Sequence, residues 1–369
     1  MKYYIIAGEA SGDLHASNLI KALKAQDSEA EFRAWGGDLM EAQGAKLVKH
    51  YRDLAFMGFV EVLFNLRTIF RNIRFCKQDL LGWKPDVLIL VDYPGFNLRI
   101  AEFAHKQGLK VVYYISPQVW AWKKSRVHAI KKHVGKMLVI LPFEKDFYAG
   151  YNYDVSFVGH PLLDALPTEI HDEKSFRTEN KLSQKPIVAL LPGSRKQEIA
   201  KMLHTMLKVV PAFPKYQFVI AGAPSIDTAF YEQIIKDTGV KLLTNKTQKL
   251  LLVAKAALVT SGTATLETAL LGVPEVVCYK GSAISYQIAR RIIDINYISL
   301  VNLIMDKPVV KELIQNEFTA QNVKYELELI LENTELRQKM LNDYDQLKSI
   351  LGKGGASENA ATQIREFLK

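Results

Sequence analysis

Ile187-Val188-Ala189-Leu190-Leu191-Pro192-Gly193-Ser194-Arg195-Lys196-Gln197-Glu198 begins as an unbroken apolar run, stops at a proline and a glycine, and continues as a charged segment that opens a helix. Apolar residues without alternation describe a strand buried on both faces, the kind found in parallel sheets. The same grammar recurs downstream in Phe218–Ala221, Ala257–Thr260 and Val276–Tyr279, and upstream in Tyr3–Ala7, Val87–Val91, Val111–Ile115 and Met137–Leu141. Amphipathic helical sequence separates the runs. The alternation predicts an α/β fold of doubly wound parallel sheets.

The rhythm pauses once, where Pro167, a mixed-charge polar run and Pro186 interrupt it. We therefore expect an N-terminal domain over residues 1–165, a linker over 166–185 and a second doubly wound domain over 186–322. From Val323 onward strand signals cease, and residues 323–369 are expected as a helical tail that packs back across the cleft. With 369 residues, 49% of them hydrophobic, the chain has the apolar material for two cores rather than one small binding module. No stretch approaches the ~20 apolar residues that cross a bilayer, and the N-terminal run enters a polar turn without a signal-peptide cleavage region, so a cytoplasmic location is expected. Cys76 and Cys278 lie far apart without a C-x-x-C or His-rich neighbourhood, and read as reduced, packed thiols. Lysine and arginine outnumber the acids 48 to 39, a formal charge of +9 that suits an anionic partner: nucleic acid, anionic lipid or a phosphorylated substrate.

In parallel sheets ligands bind beyond the carboxyl ends of strands, so the turns there carry the chemistry. Gly8-Glu9-Ala10-Ser11-Gly12-Asp13 follows the first strand; its glycines and the helix N-terminus beyond suit an anionic or hydroxylated group, although Asp13 as a plain N-cap explains the same residues. It lacks the G-x-G-x-x-G spacing of a dinucleotide site. Asp92 ends the strand Val87–Val91 before Tyr93-Pro94-Gly95-Phe96-Asn97, placed either as a general base or as a cap. In the opening stretch, Ser194 and Gln197 have capping-box spacing, whereas Gly193 and Arg195 ask for more: close approach to a diphosphate and a guanidinium beside free amides. Ser261-Gly262-Thr263-Ala264-Thr265-Leu266-Glu267 is a second such turn. Glu267 lies one position beyond capping-box spacing and is either an acceptor for ribose hydroxyls or an exposed helix acid. Asn302 reads by itself as a loop polar residue.

No metal motif is convincing. Asp343-Tyr344-Asp345 has D-x-D spacing but lies in polar helical sequence, as a solvated face, and the eight histidines include no H-E-x-x-H pair. His160 either faces the cleft or packs between the domains. Two segments could meet a membrane. From Phe59 to Lys77 the apolar Val62, Leu63, Leu66, Ile69, Phe70 and Ile73 share a helix with Arg67, Arg71, Arg74 and Lys77, as an interfacial helix or as a buried one with a basic outer face. Trp120 and Trp122, followed by Lys123, Lys124, Arg126, Lys131 and Lys132, could sit at headgroups, line an acyl pocket or stack on bases, but no RNA-recognition signature supports nucleic acid.

Taken in order, GEASGD from Gly8, VDYPGFN from Val91, the runs Ser116–Trp122 and Leu141–Glu144, LLPGSR and SGTATLE resemble the lipid-A-disaccharide synthases over nearly the whole chain. The resemblance implies a GT-B-like pair of Rossmann-like domains and an inverting transfer of a diacylated glucosamine from UDP to the hydroxyl of a lipid monosaccharide phosphate, at the inner face of the inner membrane. It implies that Asp92 is the general base, alone or with Glu9, and that Arg195 is needed for activity with the turn Gly193-Ser194. It also implies that Glu267 and Asn302 belong to the nucleotide side, where the hydroxyls and amides of Ser261, Gly262 and Thr263 suit a phosphate; Ser11, Gly12, Trp120, Trp122 and His160 are expected on the acceptor or lipid side. No metal and no cofactor are expected. Some relatives carry an acid where this chain has Gly95. Two rivals remain: another GT-B enzyme, such as a UDP-N-acetylglucosamine epimerase or a peptidoglycan-precursor transferase, and a non-catalytic protein that binds anionic membranes or nucleic acid.

Overall fold

A computed structural model describes residues 1–54, 66–122, 124–167, 172–282, 286 and 295–369. The chain divides into two compact units, residues 1–164 with 351–369, and residues 165–350.

The first unit is built on a seven-stranded sheet. Its strands are β1 (Lys2–Ala7), β2 (Glu31–Gly36), β3 (Lys46–His50), β4 (Val87–Val91), β5 (Lys110–Tyr114), β6 (Lys136–Val139) and β7 (Ser156–Phe157). They lie in the order β3-β2-β1-β4-β5-β6-β7, and every pairing is parallel. Side chains alternate across a strand. Tyr4, Ile6, Leu88, Leu90 and Tyr113 therefore enter one core with the helices Leu66–Trp83 and Pro94–Lys106, while Tyr3, Ile5, Ile89, Val91 and Tyr114 enter the other with Ala10–Gln26 and Ala356–Leu368. Both faces are covered, which is why β1 and β4 are written in continuous apolar residues. Cys76 is a free thiol buried in the first of these cores.

The second unit repeats the plan with six strands: β8 (Ile187–Leu191), β9 (Gln217–Gly222), β10 (Lys241–Thr244), β11 (Ala254–Thr260), β12 (Glu275–Tyr279) and β13 (Lys311–Ile314). The order is β10-β9-β8-β11-β12-β13, again parallel. Within residues 166–185 the chain forms a helix, Glu173–Glu179, whose Phe176 is buried in the core under Ile187, Ala189 and Leu191. Helices Ala320–Glu332 and Thr334–Leu351 follow β13, and the last helix, Ala356–Leu368, packs on Ala10–Gln26 in the first unit. Asp343, expected on a solvated face, is buried and paired with Lys307 Nζ at 2.6 Å; only Asp345 stays exposed. Cys278 is likewise a buried free thiol.

Among the described residues no helix is long and apolar enough to cross a membrane. Of the basic segment, residues 55–65 and Lys123 lie outside the described residues, as do the side chains of Leu66 and Trp122.

Candidate active site

In each sheet the strand order reverses at one place: between β1 and β4 in the first unit, and between β8 and β11 in the second. Connections leave such a pair toward opposite faces, which opens a crevice at the carboxyl edge. The turn Gly8–Asp13 and Asp92 stand at the first reversal; the turns after Leu191 and Thr260 stand at the second.

Glu9 is the N-cap of helix Ala10–Gln26, with Ser11 exposed and Gly12 buried against Ala7. Asp13 does not cap that helix. It is buried inside it and accepts the amides of Gly37 at 2.8 Å and Met40 at 3.1 Å, so it closes the start of the neighbouring helix Asp38–Ala42. Asp92 and Tyr93 both have left-handed backbone, φ 44° and 49°. The carbonyl of Asp92 accepts Tyr113 Oη at 2.6 Å and Asn97 Nδ2 at 2.7 Å, and the Tyr93 ring lies where a Cβ on Gly8 would be. Tyr93, not Asp92, is the N-cap of the helix Pro94–Lys106, and no side chain caps that helix. Burial, then the charge of Glu9, push its carboxyl up to about 6, against a smaller opposing hydrogen bond from the Tyr93 backbone. Gly95 is exposed with open space around it, so an acid would fit there.

Of the residues expected on the acceptor side, His160 is buried, and its Nδ1 accepts the amide of Leu162 at 3.2 Å. Burial, with neighbouring His15, pushes it down to about 3, so it stays neutral at physiological pH. Its partners, Leu162 and His15, both belong to the first unit. Trp120 is buried as well, edge-on to Phe143 with ring centres 5.0 Å apart.

In the second unit a cavity of about 350 Å³ lies between the starts of helices Lys196–Leu207 and Thr263–Leu270, lined by Gly193, Ser194, Ser261, Gly262, Thr263 and Glu267. Ser194 and Gln197 do not form the expected capping box: Arg195 is the N-cap, and the amide of Ser194 donates instead to Glu198 Oε2 at 3.2 Å. Arg195 is exposed, and its guanidinium forms no ion pair or hydrogen bond among the described residues. Glu267 is half-buried; one oxygen accepts Gln248 Nε2 at 2.9 Å, and burial raises its carboxyl above the usual range. Asn302 is not in the cavity wall. Its amide nitrogen donates to the carbonyl of Val310 and to Glu312, each at 2.9 Å, and its oxygen accepts the amide of Val310. Glu312 also accepts the amides of Ile298 and Ser299, and the carbonyl of Ile298 accepts Ser261 Oγ, so Asn302 supports the cavity at one remove. Sequence reasoning missed Glu198, Gln248 and Glu312, ordinary helix and strand polar residues until the fold brings them to these turns.

The profile of the lipid-A-disaccharide synthetase family matches residues 3–366. The chain belongs to the lipid-A-disaccharide synthase family. It is 41% identical to the synthase of Syntrophus aciditrophicus over 99% of this chain and 97% of that one. It is 36% identical to the Geobacter metallireducens enzyme, over 99% and 96%, and 35% identical to that of Coxiella burnetii, over 99% and 98%. Synthases of this family are glycosyltransferases of lipid A biosynthesis. Among solved structures, the Neisseria meningitidis UDP-GlcNAc 2-epimerase bound to UDP-GlcNAc superposes with a TM-score of 0.71 at 15% identity, over 99% of this chain and 100% of that one. The S. aureus MnaA–UDP structure gives 0.68 at 12%, over 100% and 96%. At that identity the likeness is one of fold, and it agrees with the GT-B architecture; the family match favours the synthase over the epimerase reading.

Proposed function

We propose that the chain condenses UDP-2,3-diacylglucosamine with 2,3-diacylglucosamine 1-phosphate, forming a β-1,6-linked disaccharide 1-phosphate and releasing UDP. The observation that carries this reading is Asp92: a carboxylate at the first sheet's reversal, fixed by a pinned turn and raised to about 6. Such a group is ionised at neutral pH yet basic enough to take a proton as a bond forms. The acceptor hydroxyl attacks the anomeric carbon, its proton passes to Asp92, the bond to the diphosphate breaks, and configuration inverts. Glu9 acts beside Asp92 through its charge. In the second unit the two helix starts around the cavity offer amides and partial positive charge to the diphosphate, and Arg195 supplies an exposed guanidinium. Ser261 and Thr263 offer hydroxyls, Glu267 keeps one oxygen for the ribose, and Asn302 holds the segment behind Ser261. Ser11, Gly12, Trp120, Trp122 and His160 are assigned to the acceptor side, His160 as a neutral packed residue.

We further propose that the enzyme works on the inner face of the inner membrane, where its acylated substrates reside. The helix Leu66–Trp83 supports this. It buries Ile73, Cys76 and Leu80, and it exposes Arg67, Arg71 and Arg74 beside Phe70 and Phe75.

The deciding experiment is a disaccharide-forming assay in detergent micelles with EDTA. The wild type should form disaccharide and UDP; Asp92→Asn and Arg195→Ala should each lower kcat by about 10²-fold or more. A folded wild-type enzyme that makes no disaccharide, with or without Mg²⁺, sinks the proposal, and turnover of the soluble UDP-sugar without an acylated acceptor would favour an epimerase.

A further inference from the structure

The glycine of the Gly193 turn is filled from within. Gly193 has φ +108°, and a Cβ there would overlap the carboxyl group of Glu198. That carboxylate accepts the amide of Ser194, lines the same cavity as Ser261 and Thr263, and pairs with no cation among the described residues. The turn's donor and the space above its glycine are therefore taken by an internal anion. A carboxylate in the first turn of a helix is favoured by the helix dipole, so it rests there stably. A diphosphate seeking the same amide meets a like charge.

We propose that Glu198 is a built-in competitor for the nucleotide diphosphate: it holds the turn in the unoccupied enzyme, is displaced when a nucleoside diphosphate arrives, and by returning speeds release of the UDP product. This rests on the assignment of the cavity to the nucleotide. It gives Gly193 a second reason to be glycine, since the side chain that comes closest to it belongs to the protein itself.

Calorimetric titration of the whole chain with UDP and with uridine separates the ideas. Glu198→Gln keeps an oxygen able to accept the Ser194 amide and removes only the charge, whereas Glu198→Ala removes both. The expected result is UDP bound roughly three- to tenfold more tightly by Glu198→Gln, the size of one partly screened like charge, with uridine affinity unchanged. The gain should shrink in high salt, and product inhibition by UDP should strengthen in parallel. UDP affinity unchanged or weakened in Glu198→Gln overturns the proposal and leaves Glu198 as a support of the turn. Equal gains for UDP and uridine overturn it too, because the effect would not involve phosphate. If the folded wild type binds neither ligand, the cavity's assignment to the nucleotide falls first, and the role of Glu198 with it.

Discussion

Asp92, the proposed base, sits in a backbone region that costs a non-glycine residue about 1–3 kcal/mol, and Tyr93 repeats the cost. Tyr113, Asn97 and the ring contact over Gly8 hold the pair there. As a base Asp92 must be ionised, so kcat/KM should fall about tenfold per pH unit below about 6 and level off above it. Replacing Glu9 by Gln removes a negative neighbour that favours the protonated form. The acid limb should then move to lower pH, and initial rates from pH 4.5 to 8 would show whether it does; an unmoved limb would separate Glu9 from Asp92. The same shift has an opposite sign for stability. The native carboxyl holds its proton to higher pH than the unfolded chain, whose aspartates titrate near ~3.9. The stability this contributes is complete below that value and lost as pH rises through about 6. Asp92→Asn should therefore melt at a higher temperature than the wild type at pH 8, with the gap closing toward pH 4. The place of Asp92 at the carboxyl end of β4 is legible because the apolar run Val87–Val91 stops there before a proline turn. The capping box of Ser194 and Gln197, and the alternative of Asp13 as cap of its own helix, both fail because capping spacing says which bond a side chain can make, not which neighbour offers a better one.

Among the elements, the central strands were readable and the outer ones were not. β1, β4, β8 and β11 lie at the middle of their sheets, buried on both faces, and such burial leaves no room for polar residues. β3, β10 and β13 are partly exposed along most of their length, so their sequences carry Lys46, Lys49, Lys241, Lys311 and Glu312 without penalty, and no apolar run betrays them. The helix Leu66–Trp83 matches the second of the readings its sequence left open: one face is core, and the other presents arginines with two exposed phenylalanines. If that outer face meets anionic lipid, reversing charge at Arg71 and Arg74 should weaken liposome binding by about 1 kcal/mol per residue, and added salt should weaken it further. Sedimentation with vesicles of anionic and neutral lipid would measure it, and equal binding to both would remove the assignment.

Across the whole molecule, the first unit is assembled from both ends of the chain. Asp164, its last residue before the chain enters the second unit, accepts the amides of Gly355, Ala356 and Ser357 at the start of the final helix. That helix then lays Ala360, Ala361 and Ile364 on the core beneath Leu19, Leu23 and Tyr114. Asp164→Ala should leave these amides without their acceptor and lower the stability of the first unit by about 1–2 kcal/mol, read as an earlier denaturant midpoint, while Asp164→Asn should lose less. The sequence marked the Gly352–Gly355 break, but amphipathic helices before and after it look alike, and which sheet each one covers is decided by packing alone. The arrangement also sets an order on synthesis. Residues 165–350 can finish folding as soon as they leave the ribosome, whereas the other unit must wait, with the flank of its Ala10–Gln26 helix that meets Ala356–Leu368 uncovered, until residues 351–369 emerge.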